Sequence, residues 1–523
     1  MANNLSFDPE LFERLVDQFG LDAAWRNILA SHVTAAGKKF TYILSDPFYK
    51  GFSLLEGNIL SGLTIGEVGV LYEYCVAYVD AGSRKVNGQF FTPDDVAKLM
   101  VGYATKFPNG VWLDPCSGIG NLSWHLVSAQ TDKELFLKNK MLLVDRDPLA
   151  LEIARTLFTL DFQDKNTNLY NEIRKNFIHF DFLSVADDGA STLFDVSNLS
   201  NIPAHDYVIV NPPYLGLKSE DNRFETSKAK DLYSYFLENI SKTSQGFVSV
   251  TPQSFTNAEK FRSLRRLLLR EFQSLRILAF DNIPGNIFYG VKFGSGNSNK
   301  ANSIRAAIMI ASRNPGSREI TSLLRWKTSE RELFFRKITK FLAKPAFTED
   351  FFPKVSSIFL PLYKAVSPLK RLGSLVSPRP TRFPLYVPSA PRYFISALKT
   401  PVSRASMKTI YFHNQKDMDH AYLLLNSSFM YWWWRVRDGG MTLGLETIHS
   451  LPLLEFKANQ RLVSALEASE KTNMVYKMNA GALHENVKHD LGLVERLNSH
   501  IIPEFADRLI ATHENSELVQ LQL

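Results

Sequence analysis

The sequence is poor in several features that mark specialised classes of protein. Its 523 residues include only two cysteines, Cys75 and Cys116, which excludes a disulfide framework and a cysteine-based zinc site. No apolar run is long enough to cross a bilayer, and the opening segment MANNLSFDPELFERL lacks the basic and apolar regions of a signal peptide. We therefore expect a cytoplasmic protein with no membrane segment.

Several catalytic motifs are also missing. The chain has no P-loop, no HExxH zinc motif and no PD-x-E/DxK nuclease pattern, and its histidines lack the spacing of metal ligands. We therefore expect no metal site, no NTPase and no fused nuclease. A local absence is more informative, because no acidic residue occurs between Asp350 and Asp417. Eleven basic residues fall there: Lys354, Lys364, Lys370, Arg371, Arg379, Arg382, Arg392, Lys399, Arg404, Lys408 and Lys416.

This acid-free stretch, residues 351–416, belongs to a chain with a net charge of +7. A one-signed stretch is often only a solvated face, but interleaved Phe, Tyr and Pro favour a groove for a nucleic-acid backbone. We expect its basic side chains to be unopposed locally, with Arg379, Arg382 and Arg392 as the best DNA-binding candidates. The aromatic run at 431–434 is predicted to fill a core, because consecutive helical side chains point in different directions.

The length of the chain and its changes of pattern predict more than one domain. We expect an N-terminal helical region at 1–85, an α/β domain at 86–325, and a separate C-terminal domain at 326–523 with a helical tail. In the α/β region, short apolar runs alternate with amphipathic stretches, which is typical of a mainly parallel sheet covered on both faces. Seven runs are expected as strands: 111–114, 141–145, 177–181, 207–211, 246–250, 275–280 and 304–311.

The first three of these strands end in acidic residues. Asp114 is followed by a glycine-containing turn at Gly118, and such turns let a backbone approach a ligand closely. Asp145 lies where a nucleotide-binding fold places a ribose-binding carboxylate. Asp181 and Phe182 would suit an adenine, since a carboxylate accepts from an amine and an aromatic ring can stack. Each acid could instead cap a helix, but three of them at successive strand ends favour one ligand site.

The fourth strand ends in Asn-Pro-Pro-Tyr, residues 211–214. The two prolines lack N–H groups and have a fixed φ, so the chain leaves the sheet rigidly with its carbonyls free to accept. If the Asn211 amide oxygen and the Pro212 carbonyl accept the two N–H bonds of an aromatic amine, the nitrogen lone pair can point at a methyl donor. Tyr214 would stack on the ring, its aromatic face mattering more than its hydroxyl. Catalysis would then rest on positioning and electrostatics.

These motifs resemble the gamma-type N6-adenine DNA methyltransferases of restriction–modification systems over roughly residues 85–310. The resemblance implies a Rossmann-like methyltransferase domain and S-adenosylmethionine as cofactor. It implies a catalytic tetrapeptide of Asn211, Pro212, Pro213 and Tyr214. It implies a cofactor site of Phe91, Thr92, Pro93, Asp114, Pro115, Cys116, Gly118, Asp145, Arg146, Asp181, Phe182 and Asn211. A second aromatic on the target base is expected from Phe288, with Tyr289 and Phe293 as alternatives.

The resemblance further implies that the partner is double-stranded DNA, from which the target adenine is extruded, with a cognate restriction endonuclease as a second candidate partner. Two alternatives stay open. The chain could be a DNA-recognition subunit with a vestigial cofactor site, or an amino-methyltransferase acting on RNA or protein. The basic C-terminal region favours DNA, and the intact strand-end motifs favour an active enzyme.

Overall fold

The computed structural model describes residues 9–79, 92–164, 167–184, 204–288, 304–391, 394–404, 406–439, 442–479 and 482–522. The chain divides into two compact units. The first comprises Met1–Pro252, Ser263–Arg276 and Asn286–Ser317. The second comprises Gln253–Arg262, Ile277–Gly285 and Arg318–Leu523. The predicted division into three regions stays a prediction.

The first unit begins with three α-helices, α1 (Pro9–Phe19), α2 (Leu21–Ala36) and α3 (Ile65–Val79). Gly20 separates α1 from α2 with a φ of 77°, which lies in the left-handed region that glycine adopts without strain. The buried faces of these helices share one apolar cluster with the helix that follows β2. Burial of this face stabilises the helices more than their intrinsic propensity does.

Within the described ranges the sheet has eight strands, one more than the seven predicted. They are β1 (Trp112–Asp114), β2 (Met141–Asp145), β3 (Phe177–His179), β4 (Tyr207–Val210), β5 (Gly246–Pro252), β6 (Ser274–Ala279), β7 (Ala306–Ser312) and β8 (Arg318–Ile320). Their order is β3-β2-β1-β4-β5-β7-β6-β8. Strands β1 to β5 are parallel to one another, whereas β7 is antiparallel to β5. The expected mainly parallel sheet is confirmed, and β8, whose sequence is REI, lacks the apolar run by which the other strands were predicted.

Helices alternate with these strands, as in other open α/β folds. They are α4 (Asp94–Ala104), α5 (Asn121–Ser128), α6 (Lys133–Lys140), α7 (Pro148–Phe162), α8 (Leu169–Glu172), α9 (Leu232–Thr243) and α10 (Arg262–Glu271). Strands β2 and β4 are buried along their whole length, which explains their continuous apolar sequences. Asp147 caps α7 by accepting the backbone N–H of Leu149 at 3.0 Å, so this helix begins directly beyond β2.

The second unit contains shorter helices and two antiparallel strand pairs. The helices are α11 (Arg331–Lys337), α12 (Leu360–Val366), α13 (Gln415–Leu425), α14 (Ser428–Arg437), α15 (Leu445–His449), α16 (Gln460–Thr472), α17 (Leu491–Ile501) and α18 (Ala506–Ile510). The strands are β9 (Pro384–Pro388) with β10 (Met407–Tyr411), and β11 (Met474–Asn479) with β12 (Ala482–Val487). The predicted helical tail contains α16, α17 and α18, and the hairpin of β11 and β12 lies between α16 and α17.

The aromatic run at 431–434 lies on α14 and is buried in the core of the second unit. Trp432 packs near Phe359, and Trp433 stacks with Tyr363 at a centroid distance of 6.3 Å. The prediction that this run fills a core is confirmed. Within the described ranges, no helix is both long enough and apolar enough to span a membrane.

Candidate functional site

The carboxyl ends of β1, β2 and β4 meet at one edge of the sheet, beside a cavity of about 560 Å³. β1 and β4 are neighbours although the chain visits β2 and β3 between them, so this edge is a topological switch point, where open α/β sheets bind ligands. Of the predicted site residues, the cavity is lined by Thr92, Asp114, Pro115, Cys116, Gly118, Asp145, Arg146, Asp181, Phe182, Asn211 and Pro213.

The remaining predicted residues lie elsewhere. Pro93 and Pro212 are buried and do not reach the cavity wall. Tyr214 and Phe288 do not line the cavity either. Their ring centroids are 6.2 Å apart, and the ring planes are tilted at 58°. The predicted residues outside the described ranges are Phe91, Arg392, Tyr289 and Phe293.

The glycine turn after β1 packs tightly on β2. Gly118 and Gly120 have φ values of 52° and 84°, which lie in the left-handed region. A Cβ on Gly120 would come within 2.9 Å of the Phe158 ring and 3.0 Å of Leu143, so any larger residue would displace the turn. The Gly118 N–H donates to Asp145 Oδ2 at 2.7 Å. The carboxylate at the end of β2 therefore holds the turn that forms one cavity wall.

Asp114 and Asp145 are buried carboxyl groups at this edge, 2% and 9% exposed. Burial raises the pKa of Asp114 to about 7, although the Ser123 hydroxyl donates to its Oδ2 at 2.9 Å and opposes this shift. Burial also raises the pKa of Asp145, against the lowering effect of the backbone N–H groups of Gly118 and Asp147. A cationic ligand near these groups would favour their ionised forms.

The cavity wall as a whole is acidic. The wall contains two guanidinium groups, those of Arg146 and Arg223. It contains six carboxyl groups, those of Glu73, Asp114, Asp145, Asp147, Asp181 and Asp221. Such a wall repels a polyphosphate and suits a ligand that carries positive charge and hydroxyl or amine donors. S-adenosylmethionine, which has a sulfonium, an ammonium, a ribose and an adenine amine, fits this donor set.

Asp181 and Phe182 follow β3 and also line the cavity. Asp181 is exposed, and its Oδ1 accepts the Leu183 N–H at 3.0 Å, which fixes the direction of the carboxylate. Phe182 is buried and stacks on Phe236 of α9, with ring centroids 5.4 Å apart. The aromatic ring is therefore held from one side and presents a small part of its surface to the cavity.

The tetrapeptide after β4 is joined to its surroundings by side-chain hydrogen bonds. The Asn211 amide donates to Thr92 Oγ1 at 2.9 Å, and its Oδ1 accepts the Tyr214 hydroxyl at 2.7 Å. The Tyr214 hydroxyl also lies 2.9 Å from the Val250 carbonyl, and the Cys116 thiol donates to the Asn211 carbonyl at 3.3 Å. Burial raises the pKa of Tyr214, so its hydroxyl stays a neutral donor. The amide of Asn211 is thus fixed from both ends.

Helix α3 forms part of the cavity wall, which sequence reasoning missed. Its contributions are Gly69, Tyr72, Glu73 and Val76. The Tyr72 hydroxyl donates to Asp147 Oδ2 at 2.5 Å, and the Asp147 N–H donates to Asp145 Oδ1 at 2.9 Å. The Tyr72 hydroxyl is therefore connected to the Asp145 carboxylate by hydrogen bonds that run through Asp147. The sequence of α3 reads only as a buried helix, so no local signal marks these residues as part of a site.

The segment after the tetrapeptide supplies a further part of the wall. The sequence predicts a polar loop there that could close over DNA or the base. In the structure, Phe224 stacks on Tyr235 of α9 at 4.4 Å with nearly parallel rings, and Arg223 pairs with Asp221 at 2.6 Å. All four residues line the cavity.

The acid-free stretch is less uniformly charged in the structure than in the sequence. Lys399 pairs with Asp419 at 2.6 Å and with Glu467 at 2.7 Å, and Lys354 is buried. The expectation that the eleven basic side chains are unopposed locally is therefore wrong for Lys399, because tertiary packing brings Asp419 and Glu467 to it. Lys354 donates to the Thr256 hydroxyl at 3.2 Å. Arg379 and Arg382 are exposed and pair with no carboxylate in the described part of the chain.

Residues 139–288 match the family model described as Eco57I restriction-modification methylase. This segment includes β2, β3, β4 and the whole of the tetrapeptide. The predicted resemblance to restriction–modification methyltransferases is confirmed for this segment.

Curated relatives and solved structures give weaker likenesses. The chain is 24% identical over 225 residues to the Type II methyltransferase M.HincII of Haemophilus influenzae, a match that covers 40% of this chain and 36% of the relative. The chain thus spans about a third of the length of that relative. The DrdV–DNA complex is 15% identical over 73% of this chain and 47% of its own, with a TM-score of 0.43. A class I S-adenosylmethionine-dependent methyltransferase from Listeria monocytogenes is 15% identical over 63% of this chain and 97% of its own, with a TM-score of 0.34.

Proposed function

We propose that this chain is a site-specific DNA methyltransferase that transfers a methyl group from S-adenosylmethionine to N6 of an adenine extruded from duplex DNA. The observation that carries this proposal is the position of Asn211. Its tetrapeptide follows β4 at the topological switch point, and Asn211 lines the same cavity as Asp114 and Asp145. An acceptor amide next to an acidic cofactor cavity suits methylation of an exocyclic amine.

The chain's own residues would act by positioning. S-adenosylmethionine supplies an electrophilic methyl group when it is bound. The Asn211 Oδ1 and the Pro212 carbonyl accept the two N–H bonds of the target amine, which directs the nitrogen lone pair away from the base plane. Tyr214 and Phe288 would hold the extruded base; their ring centroids are 6.2 Å apart with the planes tilted at 58°, so the two rings would have to separate to admit it. The reacting groups are thus placed before the chemical step.

Cofactor binding would use both sides of the cavity. Asp145 accepts the ribose hydroxyls, Asp181 accepts the adenine amine, and the turn at Gly118 lets the ligand approach the backbone. Thr92 and Asp114 lie toward the tetrapeptide, where the methionine part of the ligand belongs. The net negative charge of this wall complements the cationic ligand.

We further propose duplex DNA as the partner and a role in a restriction–modification system, in the cytoplasm, with a cognate endonuclease encoded separately. The matched family and the Type II relative support this role. The recognition domain would lie within residues 326–523, where the exposed Arg379 and Arg382 are found.

The test is methyl transfer to DNA followed by mass spectrometry of the released nucleosides. Wild-type protein should yield N6-methyladenine. Asn211→Ala should lower the single-turnover rate by about 10²- to 10³-fold, because a preorganised acceptor is lost. Its affinity for S-adenosylmethionine, measured by calorimetry, should change little. Near-normal turnover by this variant would refute the role of Asn211, and cofactor binding without any transfer by the wild type would favour a non-catalytic recognition subunit.

A further inference from the structure

Thr92 lies between the helix that follows the glycine turn and the tetrapeptide, and it is hydrogen-bonded to both. Its carbonyl accepts the side-chain amide of Asn121, the first residue of α5, at 2.7 Å. Its Oγ1 accepts the Asn211 amide Nδ2 at 2.9 Å. Thr92 and Asn121 are 4% and 7% exposed, and both line the cavity. The backbone of Thr92 is thus held by α5, while its hydroxyl contacts the amide that the proposed methyl transfer uses.

The side-chain amide of Asn211 has two ends of similar shape and opposite hydrogen-bonding character. Its Oδ1 accepts hydrogen bonds and its Nδ2 donates them, so a half-turn of the amide would exchange the two. With Oδ1 toward the target, the amide accepts an N–H of an adenine amine. With Nδ2 in that place, two donors would face each other. The proposed methyl transfer therefore requires one of the two directions.

The hydroxyls on either side of this amide set its plane, but each of them tolerates both directions. The Tyr214 hydroxyl lies 2.7 Å from Asn211 Oδ1 and 2.9 Å from the Val250 carbonyl, and its single proton can go to either oxygen. When that proton goes to Val250, the Tyr214 oxygen can accept Nδ2 of a reversed amide. Thr92 Oγ1 can likewise accept from Nδ2 or donate to Oδ1. Neither hydroxyl by itself fixes the direction of the amide.

The Thr92 hydroxyl differs from the other hydroxyls of the cavity wall. Of the residues that the structure describes, five with a hydroxyl line the cavity. Four of them donate to the protein: Tyr72 to Asp147, Tyr235 to the Ser227 carbonyl, Ser117 to the Gly118 carbonyl and Ser184 to the Asp181 carbonyl. The hydrogen of Thr92 Oγ1 reaches no acceptor within the same ranges. A ligand carboxylate, which the acidic wall repels, needs such a neutral donor.

We propose that Thr92 is a positioning residue that turns the Asn211 acceptor toward the target adenine when the carboxylate of S-adenosylmethionine takes its hydroxyl proton. With that proton engaged, Oγ1 can only accept, so it binds Nδ2 and leaves Oδ1 for Tyr214 and the target amine. The hydrogen bond from Asn121 keeps Thr92 in place. Binding of the cofactor and binding of the target adenine are thereby coupled through one hydroxyl. This proposal rests on the proposed function, because it describes how the same methyl transfer is controlled.

The test compares two cofactor analogues that differ in one group, S-adenosylhomocysteine and its decarboxylated form. Fluorescence anisotropy, with each analogue at saturation, gives the affinity for a duplex that contains the recognition site. The wild type should bind this duplex about five- to fiftyfold more tightly with S-adenosylhomocysteine. A duplex with purine in place of the target adenine lacks the amine, so the two analogues should give equal affinities for it. This comparison needs no variant and measures binding alone.

Two substitutions of Thr92 assign the difference to its hydroxyl. Thr92→Val removes the hydroxyl and nearly keeps the shape of the side chain, so the two analogues should give equal affinities for the adenine duplex. Thr92→Ser restores the hydroxyl and should recover most of the wild-type difference. Thr159→Val is the matched control, since Thr159 is also buried, donates to the Arg155 carbonyl at 2.8 Å and does not line the cavity. It should show the full wild-type difference.

Two results would overturn the proposal. One is equal affinities with the two analogues in the wild type. The other is a wild-type difference that persists in Thr92→Val, because the carboxylate would then act without this hydroxyl. Failure of the proposed function is distinguishable from both, since the wild type would then transfer no methyl group from S-adenosylmethionine to any DNA.

Discussion

Tyr214 combines two chemical features, an aromatic face and a hydroxyl, and the structure gives the hydroxyl a definite position. The hydroxyl lies 2.7 Å from Asn211 Oδ1 and 2.9 Å from the Val250 carbonyl. With the Asn211 amide nitrogen on Thr92, the plane of the amide is set from both ends. The sequence favours the ring face as the important feature, whereas the geometry also makes the hydroxyl a positioning group for the Asn211 acceptor.

We therefore predict different losses for two substitutions at this position. Tyr214→Phe keeps the ring and removes one hydrogen bond, so the single-turnover rate should fall about two- to tenfold, with the KM for DNA unchanged. Tyr214→Ala also removes base stacking worth about 1–3 kcal/mol, so it should weaken DNA binding as well. A Phe variant as active as the wild type would show that only the aromatic face matters.

At the scale of secondary structure, strands with strong patterns were predictable and elements with short or mixed patterns were not. β2 and β4 are fully buried, and their uninterrupted apolar sequences made them predictable as strands. β11 and β12 are exposed hairpin strands whose sequences, MVYKMN and ALHENV, have no strong alternation. Helix α3 was predicted as a helix, but its contact with the cavity comes from packing alone.

Helix α3 offers a test of coupling between the N-terminal helices and the cofactor site. Tyr72→Phe removes the hydrogen bond to Asp147 and so loosens Asp147 against Asp145. Affinity for S-adenosylmethionine, measured by calorimetry, should fall about two- to tenfold. Tyr78→Phe is the matched control, because Tyr78 lies on the same helix and its hydroxyl donates to Asp17 at 3.0 Å. Equal affinities for the two variants would rule out this coupling.

At the scale of the whole molecule, acidic and basic residues are concentrated in different parts of the chain. The cavity of the first unit has six carboxyl groups in its wall, whereas the second unit contains a stretch of 66 residues, 351–416, without an acid. An acidic cavity suits a cationic cofactor, and a basic surface suits a polyanion. The net charge of +7 therefore conceals two opposite local fields.

The exposed arginines of the second unit give the prediction for DNA affinity. Arg379 and Arg382 replaced together by glutamine should weaken DNA binding and flatten its dependence on salt by about one unit of slope for each lost phosphate contact. Lys457 and Lys471 replaced by glutamine form the control, since they are exposed, carry the same charge and lie outside the acid-free stretch. Cofactor affinity should be unchanged in both. A parental salt slope in the arginine variant would mean that these side chains face solvent in the complex.

The fold and the chemistry of the candidate site were open to prediction because both are encoded locally. Continuous apolar runs specify buried parallel strands, and the acids, glycines and tetrapeptide lie at the ends of those runs in a short span of chain. The partners of Lys399 were not open to prediction, because Asp419 and Glu467 reach it through tertiary packing. Phe288 was one of three candidates, and the structure describes its distance to Tyr214 and not those of the other two.

The sequence by itself determined the parallel sheet, the acids at its strand ends and the tetrapeptide that follows β4, because strand periodicity and turn chemistry act over a few residues. Only the tertiary structure decided that α3 lines the cavity, that the Tyr214 hydroxyl orients Asn211, and that Lys399 pairs with Asp419 and Glu467. These three arrangements join segments that are distant in the chain or depend on the side-chain packing around them. No local pattern of residues encodes such distances, so they emerge only when the whole chain has folded.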